Sequence, residues 1–244
     1  MAPLHARMAG LVDITLNGQE RSVDFAAGTS LLQLLRNELG LRSMKDGCAP
    51  EGSCGACTVI VDGRPVVSCA QPADRFEGKD IETLEGLPED SRDLWADAFS
   101  ATGASQCGYC TPGIVMKAEA LLRREAEPER EVITKALAGN LCRCTGYLSI
   151  VDAISQVASA RNGGPRPAPH PGAAVGDPAP KYRSREQVRG MQEYVADHVV
   201  PGMLHGALRF SDHPRAVVRS IDTSAAEAAE GVVAVITAAD VPGK

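Results

Sequence analysis

Aromatic residues are scarce in this sequence, with one Trp, four Tyr and four Phe among 244 residues. Its cores must therefore rest on Leu, Val, Ile and Ala. An excess of positive charge is also missing. The formal net charge is −6, and no Lys/Arg cluster interrupts it, which argues against a nucleic-acid partner. No apolar run is long enough to span a bilayer. Residues 1–10 lack both an apolar signal core and a twin Arg, so no export address is read and cytoplasm is the expected compartment. The five His, at 5, 170, 198, 205 and 213, show no ligand spacing and are expected to be surface or structural. Cysteine is absent from residue 145 onward.

All eight Cys fall before that point, in two groups. Cys48, Cys54, Cys57 and Cys69 form one, and Cys107, Cys110, Cys142 and Cys144 form the other. In a reducing compartment such groups read as metal ligands before disulfides.

Hydrophobic patterning places these groups on elements. Val12, Ile14 and Leu16 alternate with polar residues up to Asn17-Gly18, and Val23 and Phe25 resume the alternation, which predicts a hairpin. Thr29 or Ser30 caps a helix with a Leu31, Leu34, Leu35, Leu39 stripe that Gly40 ends. A Gly- and Cys-rich loop over 46–57 leads into a second hairpin, 58–61 and 65–68, about Asp62-Gly63. Helical spacing follows over 92–104, 112–124, 129–138 and 148–160, the pattern of a four-helix bundle. Residues 161–180 read as a linker of Gly, Pro and Ala. Beyond it, 204–210, 216–221 and 231–236 are expected as strands, with a short helix capped at Thr223-Ser224. Three strands and one helix bury too little apolar surface for an independent core. The acidic stretch over 82–93 is expected to be a solvated face between domains, and Trp95 a core residue.

The first Cys group has the spacing Cys48-x5-Cys54-x2-Cys57-x11-Cys69. Three thiolates on one loop and a fourth on the next strand is the plant-type ferredoxin arrangement for a 2Fe-2S cluster. Gly47, Gly52 and Gly55 allow backbone to approach the sulfides, so that backbone N–H groups there can donate to cluster sulfur. A zinc site is the competing reading, but zinc favours two separated Cys-x2-Cys knuckles. In the second group, Cys107-x2-Cys110 and Cys142-x1-Cys144 each precede a predicted helix, so two helix N-termini face one anionic centre. Cys-x1-Cys is unusual for structural zinc.

Several longer stretches carry a resemblance. Gly47-Cys48, Gly52, Cys54-Gly55-Ala56-Cys57-Thr58-Val59, the run Gln106–Gly113 (QCGYCTPG) and the run Asn140–Tyr147 (NLCRCTGY) closely resemble the iron–sulfur subunit of the xanthine dehydrogenase / aldehyde oxidase family. The departure is the x5 gap with Ala49-Pro50, where most members have x4. Val188-Arg189-Gly190, Tyr194, Asp197, Pro201-Gly202-Met203-Leu204, Ser211, His213-Pro214, Ile221-Asp222 and the stretch from Gly231-Val232 to Asp240-Val241-Pro242 resemble the opening of the molybdenum-binding large subunit, within its hammerhead-like first domain.

The resemblance implies an α+β chain: a β-grasp ferredoxin-like domain over 10–88, a helical 2Fe-2S bundle over 89–160, a linker over 161–180 and an incomplete α/β hammerhead-like segment over 181–244. It implies electron transfer from a molybdenum centre through two 2Fe-2S clusters to a flavin or other acceptor. The molybdenum–pterin cofactor and FAD are expected on partner subunits: a molybdenum-cofactor large subunit, whose first domain the tail completes, and an FAD subunit or cytochrome acceptor. Gln106 is expected near the pterin. No Gly-rich phosphate loop opens a nucleotide domain, so the chain is expected to bind no FAD and to have no substrate site of its own. A free-standing two-cluster carrier and a structural zinc or disulfide protein remain the alternatives.

Overall fold

The computed structural model describes residues 8–171 and 174–243; His5 lies outside them. The first hairpin forms as predicted, from β1 (Met8–Leu16) and β2 (Gln19–Ala26). Asn17 and Gly18 both adopt positive φ, the geometry of a tight two-residue turn. Ser30 caps α1 (Leu31–Gln33) through a capping box with Gln33. The helix continues as a π turn over Leu34–Glu38, with Leu39 N–H bonding to the Leu34 carbonyl. Gly40 then turns left-handed.

β3 (Thr58–Val61) and β4 (Arg64–Val67) make the second hairpin. The sequence pattern did not announce β5 (Asp80–Glu82). This strand joins the two hairpins, lying parallel to β1 and antiparallel to β3, and the sheet order is β2-β1-β5-β3-β4. Leu31, Leu34, Leu35, Val12, Ile14, Val59 and Ile81 fill the space between helix and sheet. Each such side chain contributes about 1.5–3 kcal/mol when fully buried.

Four helices follow: α2 (Glu89–Thr102), α3 (Thr111–Leu122), α4 (Arg130–Ala136) and α5 (Tyr147–Arg161). Trp95, Phe99, Ile114, Ile133, Ile154 and Val157 form their common core. Trp95 is fully buried, as expected. A further short helix, α6 (Ser184–Val188), packs on α2 and sinks Val188 into this core.

The chain divides into two compact units, Met1–His198 and Val199–Lys244. In the second, α7 (Ser224–Glu227) is the only regular element among the described residues. The expected strands at 204–210, 216–221 and 231–236 are not formed. Their apolar side chains are exposed, Leu208 at 82% and Val217 at 86%, because no strand among the described residues pairs with them.

Candidate functional site

The eight Cys are all free thiols and gather into the two expected groups. Cys48, Cys54 and Cys57 lie on the loop between α1 and β3, and Cys69 follows β4. Within this group Cys48 and Cys54 are within hydrogen-bond reach of each other, as are Cys57 and Cys69. The Cys69 N–H also points at Cys57 Sγ, 3.4 Å away.

In the second group the close pairs are Cys107 with Cys144 and Cys110 with Cys142. Cys110 caps the N-terminus of α3, with Pro112 in its first turn, and Gly146 caps α5. The Gly146 N–H points at Cys142 Sγ, 3.4 Å away. The Cys142 N–H donates to Tyr147 Oη, whose hydroxyl donates to the Asn140 carbonyl.

Electrostatics separate the thiols. Burial pushes Cys48 up, but N–H groups of Cys54 and Ser53 and the Ser53 side chain outweigh it and bring the thiol down to about 6. Burial and the neighbouring Cys57 push Cys69 up to about 12. Burial also raises Cys54 and Cys107, and it raises Cys110 beside Cys142 and Cys107. Several thiols crowded together out of water resist ionisation until a cationic centre supplies counter-charge. A Cβ on Gly47 would lie 2.9 Å from Cys54 Sγ, so only glycine keeps the loop this close to the sulfur.

Among the described residues, no three His, Cys, Asp or Glu side chains converge on a point suited to one ion. A two-iron cluster does not require that, since each iron takes two of the four thiolates. Donor chemistry, pairing and close backbone fit such a cluster at both groups.

The two sites are neighbours. Leu141 N–H donates to the Cys54 carbonyl at 2.8 Å, and Asn140 Nδ2 to the Gly55 carbonyl at 3.1 Å. Tyr109, between Cys107 and Cys110, donates its hydroxyl to the Asp46 carbonyl at 2.8 Å. Their openness differs. Three thiols of the first site are buried and Cys48 is half-buried, whereas Cys107 is exposed and Cys110 and Cys144 are half-buried. Gln106 is exposed next to Cys107, with its Nε2 3.4 Å from where a Gly146 Cβ would stand. Leu141 and Leu148, on either side of Cys142 and Cys144, are 56% and 79% exposed.

Sequence reasoning missed the residues that brace these loops. Lys45 is buried and pairs with buried Asp197 at 2.6 Å; Arg36 holds the other carboxylate oxygen at 2.7 Å. Burial works against the Asp197 charge, but Lys45 and Arg36 outweigh it and hold the carboxyl below its usual range. Asp197 stood out only through its resemblance to the large subunit's opening, and Lys45, two residues before Gly47, carried no signal of its own; what was missed is that the two meet. The acidic face of α2 is not simply solvated either. Asp90, Asp93 and Asp97 receive Arg166, Arg185 and Arg189 from the chain beyond α5. His170, His198, His205 and His213 are all exposed.

Comparison with known proteins agrees with this architecture. Residues 14–84 match the family described as 2Fe-2S iron-sulfur cluster binding domain, and residues 83–155 the family described as 2Fe-2S binding domain. Residues 189–244 match the a/b hammerhead domain of aldehyde oxidase and xanthine dehydrogenase. The nicotinate dehydrogenase small FeS subunit of Eubacterium barkeri is 48% identical over 144 residues, covering 59% of this chain and 91% of that protein. An aldehyde oxidoreductase of Megalodesulfovibrio gigas is 37% identical over 246 residues, covering 95% of this chain and 27% of that protein. Among solved structures, an aldehyde oxidoreductase from Desulfovibrio desulfuricans has a TM-score of 0.84 at 35% identity, covering 96% of this chain and 27% of that one. The chain thus spans nearly all of a separate small subunit and about a quarter of the single-chain oxidoreductases.

Proposed function

Because the chain belongs to the iron–sulfur subunit family of xanthine dehydrogenase/aldehyde oxidase-type oxidoreductases, we propose that Cys48, Cys54, Cys57 and Cys69 hold one of its two 2Fe-2S clusters and Cys107, Cys110, Cys142 and Cys144 the other. Electron transfer in a molybdenum hydroxylase is the role of such subunits. When bound, each cluster supplies a one-electron carrier.

The protein's own residues prepare the two sites differently. Ser53 and Cys54 direct N–H groups at Cys48 sulfur, and the N-termini of α3 and α5 face the second site, so both favour negative charge. Burial of Cys54, Cys57 and Cys69 excludes water from the first site.

The observation that carries the direction of transfer is the open edge at Gln106, Cys107 and Cys144, flanked by exposed Leu141 and Leu148. An exposed apolar rim beside a redox site suits a protein partner. We read it as the face toward a molybdenum-cofactor large subunit, with Gln106 near the pterin. The first site then faces the onward acceptor, an FAD subunit or a cytochrome. The hammerhead-type tail supports a partnered role over a free carrier, and it would complete the partner's first domain. The division at 10–88, 89–160, 161–180 and 181–244 belongs to this reading, as does a cytoplasmic location; no described helix is long and apolar enough to cross a membrane.

Metal analysis tests the assignment. The purified chain should carry about four irons and about four acid-labile sulfides. Cys57→Ser should remove one paramagnetic signal of the reduced protein and Cys144→Ser the other. Stoichiometric zinc without visible absorption, or loss of both signals from either folded variant, would sink it.

A further inference from the structure

The stretch after the linker does more than tether the tail. It packs on both cluster loops at once, although the hammerhead match already begins at residue 189. Tyr194 donates its hydroxyl to the Cys107 carbonyl at 2.8 Å, and Gln187 Nε2 donates to the same carbonyl at 3.3 Å. The Tyr194 ring meets Tyr109 edge-on with centroids 5.1 Å apart. Tyr109 reaches the first loop through the Asp46 carbonyl. Lys45 lies over the Tyr194 ring at 4.9 Å and gives its ammonium to Asp197. The second carboxylate contact closes the circuit, because Asp197 Oδ2 also accepts the Tyr194 N–H at 3.0 Å.

We propose that Tyr194 and Asp197 are positioning residues for both iron–sulfur sites, a clasp that fixes the loop carrying Cys107 and the loop leading into Cys48 in one arrangement. The proposal rests on the two-cluster reading above. Lys45 and Asp197 are 2% and 3% exposed. A buried ion pair is a poor way to add stability, since apolar residues of the same volume do as well or better. Its directional contacts do something apolar residues do not: they set where each loop sits. Loop position matters here because hydrogen bonds and dipoles around the cluster sulfurs tune the potential.

The test uses the full chain loaded with its clusters. Iron and acid-labile sulfide are measured first. A wild-type chain without them overturns the two-cluster reading itself, whereas a loaded wild type with unaffected variants overturns only the clasp. Tyr194→Phe keeps the ring against Tyr109 and Lys45 and removes only the hydroxyl on the Cys107 carbonyl. The expected result is a shifted midpoint potential and paramagnetic signal for the second cluster, with the first unchanged. Asp197→Asn loosens Lys45 as well as Tyr194 and should shift the potentials of both clusters. If Asp197→Asn does not load iron, Lys45→Met combined with Asp197→Leu puts an apolar pair in place of the ion pair, also releasing Arg36, and is read the same way. Variants that load fully, keep both wild-type potentials and signals, and differ only in unfolding temperature reduce the segment to ordinary packing and overturn the proposal.

Discussion

A single carboxylate shows how much of this molecule is fixed by side chains that the pattern of the sequence conceals. Glu119 lies on α3 between Ala118 and Ala120 and is buried. It accepts from Trp95 Nε1 at 2.9 Å, Arg161 Nη2 at 2.6 Å and Arg123 Nε at 3.1 Å. Burial opposes its charge, but Arg161, Trp95 and Arg123 together hold its pKa below the ordinary 4.5. Glu119→Gln should cost about 1.5–3 kcal/mol, the range for hydrogen bonds to charged groups. A depressed folded pKa contributes stability that is fully present above pH 4.5 and is lost as pH falls through the folded value. Thermal unfolding of both proteins checks this. The wild-type advantage should be level near neutrality and shrink only below pH 4.5; an advantage that grows on acidification contradicts it. At this scale the sequence was legible where chemistry demands spacing. The Cys groups announced themselves because four thiolates must converge. Lys45 and Asp197, 152 residues apart, share no spacing rule and become partners only through the fold.

Elements with a strong period were read well, and weak ones were not. The four helices and both hairpins carry repeated apolar positions and glycine-containing turns. β5 has one buried residue, Ile81, so alternation has nothing to repeat, yet it joins the two hairpins. The π turn leaves no mark in the apolar pattern, since adjacent Leu34 and Leu35 are both fully buried in it. Element packing also constrains the junction between the sites. Gly113, in the first turn of α3, sits so that a Cβ would lie 2.3 Å from the Gly55 carbonyl oxygen and 2.9 Å from that of Ala56. Gly113→Ala raises helix propensity by roughly 1 kcal/mol. Overpacking against rigid backbone costs about 1–3 kcal/mol. The expected balance is a lower unfolding temperature, accompanied by lost iron because Gly55 lies between Cys54 and Cys57. A higher unfolding temperature with full iron would show that the two elements can separate freely.

Across the whole molecule, the contrast is between a unit that builds its own cores and a tail that does not. Up to His198 the sheet and helix stripes pack into two cores, with Leu141 and Leu148 left exposed beside the second site, and the acidic face of α2 is paired with Arg166, Arg185 and Arg189. From Val199 the pattern of strands is present but, among the described residues, their pairing is not. Leu204, Phe210, Val218, Ile221, Val233 and Ile236 all stand exposed. The sequence could state which residues favour strands; it could not provide the neighbours that strands require, since those are long-range partners. Likeness to the Desulfovibrio desulfuricans aldehyde oxidoreductase covers 96% of the chain, so it extends into this tail. Unpaired edges with exposed apolar side chains favour pairing with another chain. The expectation is that 204–210, 216–221 and 231–236 become strands in the first domain of a molybdenum-cofactor subunit. Hydrogen exchange decides it, comparing the isolated chain with the complex formed by co-expression. Backbone amides in these three stretches should exchange fast in the isolated chain and become protected in the complex, while α2 and α5 are protected in both. Fast exchange throughout 204–236 in the complex would rule out strand sharing and confine the association to the open face around Cys107 and Leu148.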